Sequence, residues 1–347
     1  MKSIIKKLVR SFVFCLFALL FANVTLISCT NKNKTAAKSI ALFIPGILNG
    51  SPTYESLAKG MREAVDEYNK SHSTQNQVTV TVFEAGGNQS EWSGKLTSLA
   101  STAKYDVIVS SNPSLPELCA PLTEQFPNQR FILFDASITG NQNIMAISYN
   151  QKEQSYLSGY IAGLMSKTHK VGLVAAQEYP VMDDILFPYY KRGAQDAKKE
   201  TTVEFRVVGS WSDASKGAEI TDALCTAGVD VILPICGGAS QGVISSAKEH
   251  GIYLNWFDEN GFSKAPGTII SSCTVKQDVA AKETILSYLN GTTPWGTTKV
   301  AGFADGYIEF IQTDPLYEKY VSESIRAQLA ALVAGYQNGS VSVPDLN

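Results

Sequence analysis

Histidine is nearly missing from this chain: His72, His169 and His250 are the whole supply in 347 residues. The cysteines Cys15, Cys29, Cys119, Cys225, Cys236 and Cys273 are scattered, with no CxxC pair. Such spacing speaks against zinc binding, dithiol redox chemistry and a disulfide framework, and reads instead as separate thiols, the later four structural. A basic stripe is lacking as well. The net charge is -3, and it falls to about −7 without the four cations of the first ten residues. Nucleic acid is therefore not an expected partner. No Walker loop, Rossmann glycine fingerprint, GxSxG elbow, HExxH pair or EF-hand loop occurs. Gly237-Gly238 follows an apolar run, but no Lys-Ser/Thr comes after it. A turn, or close backbone approach to a ligand, fits it better than a phosphate loop. Asp183 and Asp184 are neighbours in sequence and read as a solvated turn rather than an acid/base pair. Nothing in these patterns points to an enzyme, and no cofactor or metal is expected.

Long hydrophobic runs are also scarce. The apolar stretch from Phe12 to Phe21, behind Lys2, Lys6, Lys7 and Arg10, is too short for a membrane span. It has the form of a signal-peptide core. It ends in Leu26-Ile27-Ser28-Cys29, which resembles a bacterial lipobox, and a polar tether from Asn31 to Lys38 follows. The expectation is a leader over residues 1–28 and a lipidated Cys29 at the head of a tether over 29–38. Two or three acyl chains on that cysteine would anchor the protein stably to a bacterial membrane on its extracytoplasmic side, facing the periplasm or the cell surface.

What remains, roughly 310 residues, is enough for two domains. Short apolar runs alternate with amphipathic helical stretches, the pattern of parallel sheets covered on both faces. Ser39–Ile44, Val78–Phe83, Asp106–Ser110 and Arg130–Asp135 read as strands, with helices at Tyr54–Tyr68, Trp92–Ala103 and Leu115–Phe126 between them. Asn143–Tyr149 reads as a crossing segment, after which the alternation restarts. Strands are expected at Lys170–Ala175, Thr202–Val208, Asp230–Pro234, Tyr253–Phe257 and Thr268–Cys273. Two similar open sheets imply two lobes and a cleft, with ligands beyond the carboxyl ends of the strands. The first lobe is assigned residues 39–145 and about 277–300, the second 146–276 and about 301–347.

Aromatic residues stand where strands pass into loops: Tyr54, Trp92, Tyr179, Phe187 and Trp211. Such rings can clamp a flat heteroaromatic at about 1 kcal/mol per stacked pair beyond burial; core packing is the alternative for each. Trp256 is expected to point into the sheet. Asp258, at the end of Trp256-Phe257-Asp258, suits paired hydroxyls because a carboxylate is acceptor-only and its bonds are charge-assisted; a helix N-cap is the alternative. Lys276 is a candidate to bond the ligand or pair with Asp258, or a solvated lysine. Ser110, Ser111 and Asn112 offer neutral bonds at the end of a strand, and Gly238 offers close backbone approach.

The stretches Val208–Gly217, Ala227–Ile232 and Gly237–Val243, with Asp258 and Ser271–Lys276, resemble the basic membrane protein family across nearly the whole mature chain. That family includes purine nucleoside receptor lipoproteins. The resemblance implies a two-lobed, type I-like periplasmic-binding fold that closes on its ligand by a hinge, and delivery to ABC permease and ATPase subunits. By position, Trp211 takes the place of the family's base-stacking phenylalanine, Asp258 that of the acid on the ribose hydroxyls, and Lys276 that of a nearby lysine. The first lobe departs. Where purine nucleoside receptors carry Asn-Asp and then a phenylalanine, this chain has Asn49-Gly50-Ser51-Pro52-Thr53-Tyr54. The missing aspartate and the wider indole make the chain similar to the family's riboflavin-binding lipoproteins. Riboflavin is thus the expected ligand, carried rather than used as a cofactor, with a purine nucleoside as the alternative.

Overall fold

The structure, a computed structural model, describes residues 38–72 and 77–346. The expected leader, Cys29 and nearly all of the tether lie outside these residues. The first lobe begins with β1 (Ser39–Ile44), whose residues are fully buried from Ile40 onward. Helix α1 (Pro52–Lys70) starts at a proline, which is pre-set for the first helical turn and has no N–H to leave unpaired. It turns Leu57, Met61, Ala64 and Val65 to the core. Then follow β2 (Thr79–Glu84), α2 (Trp92–Ser101), β3 (Val107–Ser111), α3 (Leu115–Gln125), β4 (Arg130–Phe134) and β5 (Ile144–Tyr149).

The second lobe repeats this plan. Its elements are α4 (Gln151–Met165), β6 (Lys170–Ala175), α5 (Phe187–Ala197), β7 (Thr202–Val207), α6 (Ala214–Thr226), β8 (Val231–Ile235), α7 (Ser240–His250), β9 (Tyr253–Asp258) and β10 (Ile269–Val275). The chain ends with α8 (Gln277–Leu289), β11 (Thr298–Ala301), β12 (Ile308–Phe310), α9 (Pro315–Tyr320) and α10 (Glu323–Gln337). The two six-stranded sheets have matching orders, β11-β5-β4-β3-β1-β2 and β12-β10-β9-β8-β6-β7. All pairings are parallel except β12 against β10.

One expected segment changes its role. Residues Ile144–Tyr149 are a strand inside the first sheet, between β4 and β11, and the chain leaves that sheet only after Tyr149. The reason is burial: Ile144, Met145, Ala146 and Ile147 are almost wholly enclosed, which a linker would not permit. A second passage follows Val275, where α8 returns to pack on α1. A third runs from Ala301 in one sheet to Ile308 in the other. This last strap is tied down on both sides. The Phe303 N–H donates to Glu153 at 2.9 Å, Lys299 pairs with Asp305 at 2.9 Å, and the Tyr307 hydroxyl donates to Glu283 of α8. The Phe303 ring rests 5.9 Å from that of Tyr336 on α10. Asp183 and Asp184, expected in a turn, stand in a π-helical turn before α5, and both are exposed.

Candidate functional site: a cleft with an acid on each wall

In parallel sheets the strand ends release their chains toward one edge, so the carboxyl ends of both sheets border the same cleft. Asp135 follows β4 and Asp258 ends β9, with left-handed backbone at φ 49 and φ 67. Aspartate tolerates this conformation better than most side chains, because its short polar group bonds locally. Each carboxylate is met by an amide from the first turns of α4. Gln154 Nε2 donates to Asp258 Oδ1 at 3.1 Å, and Gln151 Nε2 reaches Asp135 Oδ1 at a long 3.5 Å.

Both acids are less acidic than usual. Loss of hydration lifts Asp135 to about 7, and the charge of Asp258 adds to the rise. Asp258 is lifted to about 6, again by desolvation first; the Gln154 bond pulls it back and Glu259 pushes it up. Asp258 is open to solvent by surface area. Protein nonetheless surrounds it across the cleft, and that enclosure withholds the bulk hydration an exposed surface acid would have.

The aromatic wall belongs mainly to the second lobe. Trp211 follows β7 and is 45 % exposed, an unusual amount for an indole. Tyr179 stands beside it, ring centroids 6.4 Å apart and planes tilted by 42°. Burial, then Asp258 and Asp135, hold the Tyr179 hydroxyl well above its ordinary pKa, which ties this ring to both carboxylates. Gly237 and Gly238 lie behind the indole. A Cβ at Gly237 would stand 3.0 Å from the Trp211 carbonyl oxygen and 3.2 Å from its ring, and Gly237 has φ +56. The close backbone approach read from this Gly-Gly pair is thus to Trp211. On the first lobe, Tyr54 donates to the Pro45 carbonyl at 3.2 Å, and burial raises its pKa, with Asn112 opposing the rise and Asp135 adding to it.

Other sequence candidates fall elsewhere. Trp92 is 5 % exposed, packs under the first sheet and donates from its indole to Gly86 O at 2.8 Å. It is core, because the helix it opens needs an apolar foot on that sheet. Ser111 is buried and shares bonds with Gln277, whose amide also donates to Thr53 O and accepts from Tyr149. Asn112 caps its own turn by accepting from the Ser114 N–H at 2.9 Å. Phe187 spends its ring on Phe205 of β7, 4.7 Å away. Lys276 pairs with Glu309 at 2.8 Å rather than with Asp258. Trp256 is buried as expected.

Sequence reasoning missed Asp135, Gln151 and Gln154. Asp135 carried a usable signal: Phe134-Asp135 ends an apolar run just as Phe257-Asp258 does. The glutamines carried none, since their direction depends on where α4 meets β9. A separate pocket of about 500 Å³, lined by Phe43, Phe83, Leu99 and Tyr105 among others, lies between β2 and α2 and shares no residue with the cleft.

Two matched parallel sheets with a polar and aromatic cleft at their carboxyl edges define a protein of the periplasmic-binding class. An ABC solute-binding protein from Aeropyrum pernix superposes with a TM-score of 0.74 at 18% identity, covering 89% of this chain and 94% of that one. A transcriptional activator of the comK gene from Bacillus halodurans reaches 0.69 at 20% identity, covering 88% and 100%. These likenesses establish the fold. The chain itself belongs to the Bmp family, whose model, ABC transporter substrate-binding protein PnrA-like, matches residues 37–338. Among curated relatives, basic membrane protein D of Borreliella burgdorferi is 23% identical across 94% of both chains. The ABC transporter nucleoside-binding protein BmpA of Lactococcus lactis is 26% identical over 189 residues, 54% of this chain and 52% of that one. The protein is thus a substrate-binding component of an ABC transporter, a role of capture rather than catalysis that is exercised outside the cytoplasm. No helix among the described residues is long and apolar enough to cross a membrane.

Proposed function

We propose that this protein captures riboflavin for an ABC importer, held to the outer side of a bacterial membrane by lipid on Cys29. The observation that carries the reading is the open face of Trp211 beside Tyr179, with an acid on each side of the same cleft. An isoalloxazine would cover the indole, and each stacked ring adds about 1 kcal/mol beyond the area it buries. The ribityl chain presents several hydroxyl donors in a row, and Asp135 and Asp258 are acceptors placed on opposite walls to receive them. Tyr54, on the facing lobe, closes over the ring system when the lobes swing together.

A purine nucleoside is the second reading, favoured by the nucleoside-binding relative from Lactococcus lactis. The ribose hydroxyls would use the same two carboxylates, so the acids do not discriminate; the width of the ring facing Trp211 does.

The test uses the chain from residue 30 onward. Its visible spectrum after purification, and that of the material released on denaturation, should show free riboflavin near one per chain. Titration of tryptophan fluorescence with riboflavin and with inosine then ranks the two ligands. Quenching by riboflavin at lower concentration upholds the proposal; tight inosine binding with no response to riboflavin hands the cleft to nucleosides.

A further inference from the structure

Gln154 is fully buried, yet its amide carbonyl has no hydrogen-bond partner among the described residues. Its nitrogen has two: Asp258 Oδ1 at 3.1 Å and the Cys273 carbonyl at 3.0 Å. Both partners can only accept, so the amide cannot be turned around without setting oxygen against oxygen. An enclosed amide that leaves its own oxygen unpaired is a poor choice for packing, where an apolar side chain of the same size would serve better. What the residue supplies is its pair of donors.

Their effect falls on Asp258. This acid sits in left-handed backbone at the lip of β9, solvent on one side, with Glu259 next in sequence, Tyr179 on its own lobe and Asp135 across the cleft. Among the described residues no cation pairs with its anion: Lys276 is turned to Glu309 and Lys264 to Glu259. We propose that Gln154 is the positioning residue for Asp258: it clamps Oδ1 between two strands' ends and leaves Oδ2 facing the cleft as the ligand's acceptor. The proposal rests on the reading of Asp258 as a ligand contact. Gln151, one turn earlier on α4, reaches toward Asp135 of the other lobe, so one short stretch of helix touches the acids of both walls. Closure of the lobes therefore carries the two carboxylates relative to a common support.

The experiment pairs a ligand-free measurement with binding. In unliganded Gln154→Met, carboxyl NMR should find the Asp258 titration midpoint raised by about one unit, since a donor to the anion has been removed. Riboflavin or inosine, whichever the wild type binds, should bind about tenfold more weakly at pH 7.5, the usual effect of one lost bond to a charged group. Measured against the wild type at the same pH, Gln154→Glu should bind poorly at pH 8 and close the gap as the pH falls, because a protonated carboxyl donates to Asp258 again and an ionised one repels it. A residue that merely fills space shows no such recovery. An unchanged Asp258 midpoint in folded Gln154→Met, or in Gln154→Asn should the methionine variant not fold, overturns the inference whatever the wild type binds. Full affinity in Asp258→Asn would instead overturn the role of Asp258 while leaving the Gln154 contact intact.

Discussion

Asp135 and Asp258 occupy matching places in the two lobes. Each follows a phenylalanine at the carboxyl end of the third strand in its sheet's order, β4 and β9, and each has positive φ. The repeated topology thus delivers two like charges to opposite walls of one cleft. Their mutual repulsion is visible in the elevated pKa of Asp135, to which Asp258 contributes. A neutral ligand rich in hydroxyl donors relieves that repulsion better than water can, and a phosphorylated one would aggravate it.

Ligand affinity should therefore rise with pH. Hydroxyl donors need ionised acceptors, and the acids ionise at about 6 and about 7. Dissociation constants from fluorescence titration should fall between pH 5 and pH 8 and level off above, with Asp135→Asn removing the upper part of the profile. Stability of the unliganded protein should move the opposite way. Both pKa values lie above the ordinary 3.8, so the native state holds protons that the unfolded chain gives up. That contribution is complete below 3.8 and is lost as the pH passes 6 and 7. Asp135→Asn should accordingly melt about 1–2 °C above the wild type at pH 8, and no higher at pH 4. A flat binding profile would remove the carboxylates from the site.

Trp211 and Gly237 should separate ring recognition from loop placement. Trp211→Ala removes the stacking surface and should weaken riboflavin binding at least about tenfold. The melting point should hardly change, since nearly half the indole is already in solvent. Trp211→Phe should restore inosine binding more fully than riboflavin binding, because a smaller ring covers a purine but not a three-ring flavin. Gly237→Ala meets both a left-handed backbone and the Trp211 carbonyl at 3.0 Å, so it should cost about 1 kcal/mol in stability and weaken both ligands. Equal losses for the two ligands in Trp211→Phe would show that ring width is not what the indole reads.

The sheets were legible in the sequence because their strands are buried on both faces and stand out as apolar runs; Ser39–Ile44 and Arg130–Phe134 are examples. β5 was misplaced because an apolar run before a polar one looks alike whether it ends a sheet or leaves it. β11 and β12 were not seen at all: they span 4 and 3 residues, too few for alternation to register. For the candidate site, the sequence points to Trp211 and Asp258 because loops after strand ends are where ligands are met, and both lie at the cleft. The same rule selects Trp92 and Phe187, whose rings the structure packs under the first sheet and against Phe205. Sequence does not tell whether a ring turns inward to Gly86 or Phe205 or outward to the cleft. Asp135 was readable from the Phe134-Asp135 run end, whereas Gln151 and Gln154 needed the angle between α4 and the strand ends, which no local pattern encodes.

The support beneath the site can be tested through a pair of glycines. α4 and α5 touch backbone to backbone, Gly159 against the Tyr190 carbonyl and Gly193 against the Tyr156 carbonyl. A Cβ at either place would run into the opposing helix, so the helices must part or the carbonyl must move. Gly159→Ala and Gly193→Ala should each destabilise by about 1–3 kcal/mol, against the stabilisation that alanine normally gives a helix. The double substitution should cost less than the two single costs together, since helices already parted by one methyl have room for the second. Gly94→Ala in α2 is the control: nothing lies within 4 Å of its Cβ, and it should be neutral or stabilising by up to about 1 kcal/mol. Because α4 also carries Gln154, the α4–α5 variants should lose ligand affinity in step with stability, whereas Gly94→Ala should not. Strict additivity of the two losses, measured by chemical denaturation, would mean that the helices do not meet through these two glycines as a unit.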